Sequence, residues 1–242
     1  MRYAAHLPLE GIGETGQARI GDARVALVGL GGLGCVIAQY LVSSGVGRLT
    51  LCDYDKVAES NLSRQILYRP DDVGRLKTEA ASETLGTLNP DTELLTIDKR
   101  MHMDGMREAF PNCDLVIDAS DNYGTRLAVN RVCLELEKPW IMASCIRLEG
   151  QVMLLRPGLA CYRCVYGSAP DTLEDCPGAG IFAPVAGVVG TSAAHFALAH
   201  LAGMDMPGGM HLFDGSSWTW CSLSTPKDPD CPECSDGEAN SQ

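Results

Sequence analysis

The stretch from Arg24 to Asp53 limits what this chain can fold into more than any other. An apolar run, Arg24-Val25-Ala26-Leu27-Val28, leads straight into Gly29-Leu30-Gly31-Gly32-Leu33-Gly34. A helix-forming run over Val36–Val42 follows, then a second apolar run, Arg48–Cys52, that ends on Asp53. Strand, glycine turn, helix, strand and terminal acid spell a nucleotide-binding β-α-β unit. Glycines let the backbone come close to a phosphate, and the free N–H groups opening the next helix attract its charge. A carboxylate about 20 residues after the turn can accept hydrogen bonds from ribose hydroxyls.

That unit alone suits a nicotinamide dehydrogenase equally well. The residues beyond it weigh against hydride transfer. Asp53-Tyr54-Asp55, Asn61-Leu62-Ser63-Arg64-Gln65 and Gly74-Arg75-Leu76-Lys77 put an amide, a guanidinium and an ammonium just downstream of the phosphate turn. Such donors suit charge stabilisation during attack on phosphorus.

Composition narrows the class further. A chain of 242 residues can bury a large core, and a formal net charge of −12 argues against nucleic acid and anionic membranes as partners. No basic-plus-apolar leader opens the sequence, so a cytoplasmic protein is expected. The low-charge run from Ile181 to Gly203 reads as a buried helix rather than a membrane span, because it carries His195, His200 and many small residues. Further strands are expected at Glu93–Ile97, Asp114–Asp118, Pro139–Ser144 and Gly150–Leu155, and helices at Thr78–Leu88 and from Tyr123. The last two strands look antiparallel. Asp121 follows the end of a buried strand, where α/β ligands sit; it either holds magnesium or caps the helix opening at Tyr123.

Eleven cysteines include two Cys-x-x-Cys knuckles, Cys161/Cys164 and Cys231/Cys234. Each offers two thiolates to a tetrahedral zinc, and neither is expected to open a helix after a strand, which disfavours a thioredoxin-like redox pair. The long gap between them implies a clamp that ties the tail to the body. Cys176 lies in a Pro/Gly-rich polar loop and is either a reactive thiol or a bystander. Cys35, Cys52, Cys113, Cys133, Cys145 and Cys221 are expected to be inert buried thiols.

The run from Gly29 to Lys77, with the Asp121-Asn122 pair and both knuckles in order, resembles the ThiF/MoeB/HesA family, bacterial relatives of ubiquitin-activating enzymes. The resemblance extends from Arg2 to Cys234. It implies ATP-dependent adenylation of the C-terminal glycine of a small ubiquitin-like sulfur carrier protein by a homodimer using ATP, Mg2+ and Zn2+. It also implies a nucleotide set of Gly29, Gly31, Gly32, Gly34, Asp53, Asp55, Asn61, Arg64, Gln65, Lys77, Asp121 and Asn122. Arg64, Lys77 and Asp121 would be catalytic; Cys176 would link covalently to the carrier, as in the thiazole-forming branch. The tail from His211 to Trp220 looks more like that branch than the molybdopterin branch. Alternatives remain a molybdopterin-type activator that does not use Cys176, the dehydrogenase, and a non-catalytic scaffold binding ATP and a ubiquitin-like protein.

One departure stands out. The family pattern carries an arginine before the position of His6 that reaches a partner subunit's ATP site; this chain has Ala5, with Arg2 the nearest basic residue. Eight residues follow Cys234, so sulfur is expected from a separate donor protein. The expected fold is α/β: a Rossmann-like nucleotide-binding core with added strands for partner binding and a structural zinc clamp. A single domain over 1–242 is expected, with the nucleotide core at about 22–155 and the knuckles, crossover loop and tail at about 156–236.

Overall fold

The computed structural model describes residues 2–167 and 180–235. After turns near the N-terminus, helix α1 (Gly13–Asp22) leads into strand β1 (Arg24–Val28), helix α2 (Gly32–Ser43) and strand β2 (Arg48–Cys52). Next come α3 (Lys77–Leu88), β3 (Glu93–Ile97), α4 (Met103–Ala109), β4 (Leu115–Asp118) and α5 (Tyr123–Glu135). The chain continues through β5 (Trp140–Ile146), β6 (Glu149–Leu155), α6 (Tyr162–Tyr166), α7 (Ala183–Ala202), β7 (Met210–Asp214) and β8 (Thr219–Leu223).

The strands form one sheet in the order β3-β2-β1-β4-β5-β6-β7-β8. From β3 to β5 all pairings are parallel; from β5 onward all are antiparallel. The expected change of strand direction therefore falls between β5 and β6. Strand order reverses between β1 and β4, and a crevice at such a switch point is where α/β sheets take their ligands.

Alternate residues of β1 explain the layering. Val25 and Leu27 enter the core shared with α2, α3 and α7, while Ala26 and Val28 enter the core on the opposite face with α4 and α5. A parallel strand buried on both faces needs this near-continuous apolar run. Each fully buried Leu or Val contributes about 1.5–3 kcal/mol. Helix α7 is long and apolar enough to cross a membrane by length and composition, but half of it is buried, and it packs on α1, α2, β5 and β6. It is a core helix, as its small residues suggested.

Four elements were not read from the sequence: helices α4 and α6 and the paired strands β7 and β8. Cys161 is the N-cap of α6, which follows β6 after a short loop, so the first knuckle does open a helix. Its local setting is therefore compatible with a redox pair, and the convergence of all four thiols is what favours zinc. Cys221 also departs from expectation. It sits on β8, whose residues are all exposed, because that strand closes the sheet edge and nothing described covers it.

Candidate functional site

Helix α2 begins at Gly32, inside the glycine turn, so the turn and the helix N-terminus are one structure. Gly29 has φ +93°, and a Cβ there would stand 2.9 Å from the Ala119 carbonyl. Only glycine fits both conditions. Gly34 lies behind the turn; a side chain there would collide with the Gly29 carbonyl, so it serves close packing and does not line the cleft. Gly29, Gly31 and Gly32 do line it.

The cleft is open, about 820 Å3 in volume, and runs across the carboxyl ends of β1, β2 and β4. Asp53, Asp55, Asn61, Arg64, Gln65, Lys77, Asp121 and Asn122 all face it. Residues far apart in sequence thus meet on one wall.

Asp53 braces the turn. Its Oδ2 accepts from the Leu30 N–H at 2.7 Å and its Oδ1 from the Asp55 N–H at 2.8 Å. Burial pushes its pKa above the ordinary carboxylate value, against the opposing charge of Lys77. A carboxylate has about four lone-pair sites, so both oxygens can still accept from a ligand. Lys77 is the first residue of α3; its Nζ lies 2.8 Å from Asp55 and 3.9 Å from Asp53.

Asn61 closes a 3-10 turn, its Oδ1 accepting from Ala58 N–H at 3.2 Å. Arg64 donates to the Ser60 carbonyl at 3.1 Å. Gln65 is 2% exposed, and its Oε1 has no hydrogen-bond partner among the described residues.

At the end of β4 the helix cap falls to the neighbour of Asp121. Asn122, not Asp121, is the N-cap of α5, accepting from Thr125 N–H at 2.7 Å. Asp121 is exposed on the cleft wall. Beneath it, fully buried Asp118 accepts from Ser120 N–H, and Arg126 donates to the Ser120 carbonyl at 2.9 Å. Burial raises the Asp118 pKa, with Arg126 opposing.

The four knuckle thiols converge. Cys161, Cys164, Cys231 and Cys234 place their sulfurs within 4.8 Å of one another, with individual separations of 3.7, 3.8 and 3.4 Å. A tetrahedron with Zn–S bonds of about 2.3 Å has sulfur–sulfur edges of about 3.8 Å. The donor set and spacing fit a closed zinc site. Asp228 N–H approaches the Cys164 sulfur, and Arg131 on α5 holds Glu233 in a bidentate pair, so the second knuckle is fastened from outside as well.

Residues 3–233 match the ThiF family. The sulfur carrier protein ThiS adenylyltransferase of Escherichia coli K12 is 39% identical, over 99% of this chain and 97% of its own. The chain belongs to the ThiF family. Molybdopterin-synthase adenylyltransferase of Salmonella typhimurium LT2 is 36% identical, over 97% of this chain and 96% of its own. Among solved structures, Escherichia coli MccB with ATP superposes with a TM-score of 0.82 at 24% identity, over 91% of this chain and 69% of that one. That likeness concerns the fold alone.

Within this ThiF-family cleft, several wall residues escaped the sequence reading: Tyr54, Lys99, Arg100, Arg126 and Cys145. Lys99 and Arg100 follow the carboxyl end of β3, the same positional rule that singled out Asp121. Cys145 is half-buried on the wall rather than in the core, its pKa pushed up to about 11 by burial. Arg2 donates to the Leu88 carbonyl, at the end of α3 opposite Lys77 and the cleft. Cys176 lies outside the described residues.

Proposed function

We propose that this chain uses ATP to adenylate the C-terminal carboxylate of a small ubiquitin-like sulfur carrier protein. One observation carries the reading: the glycine turn, Asp53, Asn61, Arg64, Gln65, Lys77 and Asp121 share a single cleft at the switch point of the sheet. The carrier's carboxylate oxygen attacks the α-phosphorus, and the bond from that phosphorus to the β-phosphate oxygen breaks. Pyrophosphate leaves and an acyl-adenylate remains. Turn N–H groups and the α2 N-terminus take up phosphate charge, Asp53 accepts from the ribose, and the unpartnered Gln65 oxygen suits a ligand donor. Arg64 and Lys77 offset charge developing on the phosphates. Magnesium, when bound, neutralises phosphate charge, and exposed Asp121 offers it a hard oxygen.

The finer reading is the thiazole branch, supported by the 39% identity to the ThiS adenylyltransferase. In it a persulfide on Cys176, its outer sulfur supplied by a separate donor protein, attacks the acyl-adenylate carbonyl; AMP leaves and a reducible acyl disulfide links Cys176 to the carrier. Zinc on the four thiols is structural, and the chain is one domain acting as a cytoplasmic homodimer. Asn122 caps α5 through its Oδ1, and its amide Nδ2 is the group that would donate to the nucleotide.

The test is paired. Asp121→Ala should abolish carrier-dependent pyrophosphate exchange into ATP, a loss of about 100-fold or more. Cys176→Ala should keep exchange and lose any reducible adduct with the carrier. Normal exchange by Asp121→Ala would show that the active site is elsewhere. Normal sulfur transfer by Cys176→Ala would favour the molybdopterin-type reaction.

A further inference from the structure

Helix α5 starts at one wall of the cleft and carries fastenings for both thiol knuckles. Asp121 and the Asn122 cap lead into it, and Arg126, about one turn on, lines the cleft. Three other side chains of the same helix reach residues that lie between paired cysteines. Asn130 Oδ1 accepts from Tyr162 N–H at 2.9 Å, and Arg163 donates to the Tyr123 hydroxyl at 3.1 Å. Arg131 grips Glu233 through two bonds of 2.9 and 2.7 Å. Tyr162 and Arg163 sit between Cys161 and Cys164, and Glu233 between Cys231 and Cys234. Asn130 is fully buried, yet its Nδ2 has no hydrogen-bond partner among the described residues. An unmet buried donor costs stability, and an apolar residue there would avoid that cost. What the amide supplies instead is the bond to the residue after Cys161.

We propose that α5 links the thiol site to the nucleotide cleft, with Asn130 and Arg131 as the positioning residues. The inference rests on the ATP and zinc readings above. With zinc on the four thiols, the two knuckles are fixed against each other, and Tyr162, Arg163 and Glu233 with them. Those residues hold α5 from outside the cleft. At the start of the helix, a nucleotide bound with magnesium engages Asp121.

The contacts inside α5 say how a change at one end reaches the other. Tyr123, Arg126 and Asn130 follow one another at spacings of three and four residues, so they share one face of the helix. Arg126 donates to the Ser120 carbonyl at 2.9 Å, and Asp121 is the next residue. A slip of α5 therefore reaches Asp121 by two routes, the chain itself and the Arg126 bond. Zinc and nucleotide both favour one seating of the helix, so each raises the affinity for the other by the same factor.

Zinc release to the chelator 4-(2-pyridylazo)resorcinol tests this on the zinc-loaded chain, with saturating Mg·ATP and without nucleotide. Magnesium in excess over ATP keeps the nucleotide from binding zinc itself. Mg·ATP should slow release from the parent about fivefold or more. In Asn130→Ala and in Arg131→Ala that effect should shrink to less than about twofold. General stabilisation by bound ATP would slow release equally in parent and variants, so the ratio separates this link from a merely structural role. Arg131 is half-exposed, so Arg131→Ala keeps the test in force if the buried change prevents folding. Release from the parent that ignores Mg·ATP, or a ratio undiminished in the variants that fold, would overturn the link. Either result, in a chain that holds zinc and binds Mg·ATP, leaves the proposed function standing. A parent chain that binds neither would overturn both.

Discussion

Lys77 is 7% exposed yet holds Asp55, which is 51% exposed, at 2.8 Å. The lysine is buried and oriented while its partner faces water, so the pair works as a latch. An ion pair with one exposed member is worth about 1 kcal/mol at most. A polyphosphate carries several negative charges and competes easily with one carboxylate. Lys77→Ala should therefore cost about 100-fold in pyrophosphate exchange, as for loss of a charge-stabilising donor. Asp55→Asn should change the Kd for ATP by less than about fivefold. A large loss in Asp55→Asn would mean that Asp55 itself touches the nucleotide.

Asp118 sets a pH dependence. Burial holds its pKa above the ordinary carboxylate value, so the folded chain binds this proton more tightly than the unfolded chain does. Its contribution to stability therefore falls as pH rises through the window above the ordinary value of 3.8. Asp118→Asn removes that slope. Urea unfolding at pH 5 and pH 7.5 should show the variant gaining on the parent as pH rises. Equal pH slopes in the two proteins would contradict it.

Metal content is the third expectation. Freshly purified, reduced protein should carry one equivalent of zinc. Both a chelator and Cys231→Ser should lower Tm by about 5 °C or more, since binding energy at a thiolate site is folding energy. Chelator should add nothing further to the variant. A separate, additive drop would show that the cysteine and the metal act at different places.

Sequence legibility followed burial. Strands β1 and β2 were readable to the residue, because strands covered on both faces are written as short apolar runs between breakers; the edge strand β3 is mostly exposed and was readable from its Leu94-Leu95-Thr96-Ile97 run alone. Strands β7 and β8 were not: β8 is exposed throughout and β7 only alternates, so neither forms such a run. Helix α4 is seven residues long, too short for periodicity to register. The cleft followed the same logic. Gly29, Asp53 and Lys77 belong to a contiguous motif, whereas Arg126 and Cys145 reach the wall only through the way α5 and β5 are set in the sheet. The roles of Asn122 and Asp121 turned on a one-residue choice of helix cap, which both side chains could have filled.

The thiol cluster joins Cys161 to Cys231, 70 residues apart in sequence. Between them lie α7, which underlies the cleft, and the hairpin of β7 and β8. On a ribosome, the last sulfur emerges only after all of these segments have been made. A complete four-thiolate site can therefore first form only after β8 has been made, which ties the site to the completed β6-β7-β8 edge of the sheet. A chain truncated before Cys231 would carry at most half a site and stay marked by its lack of metal.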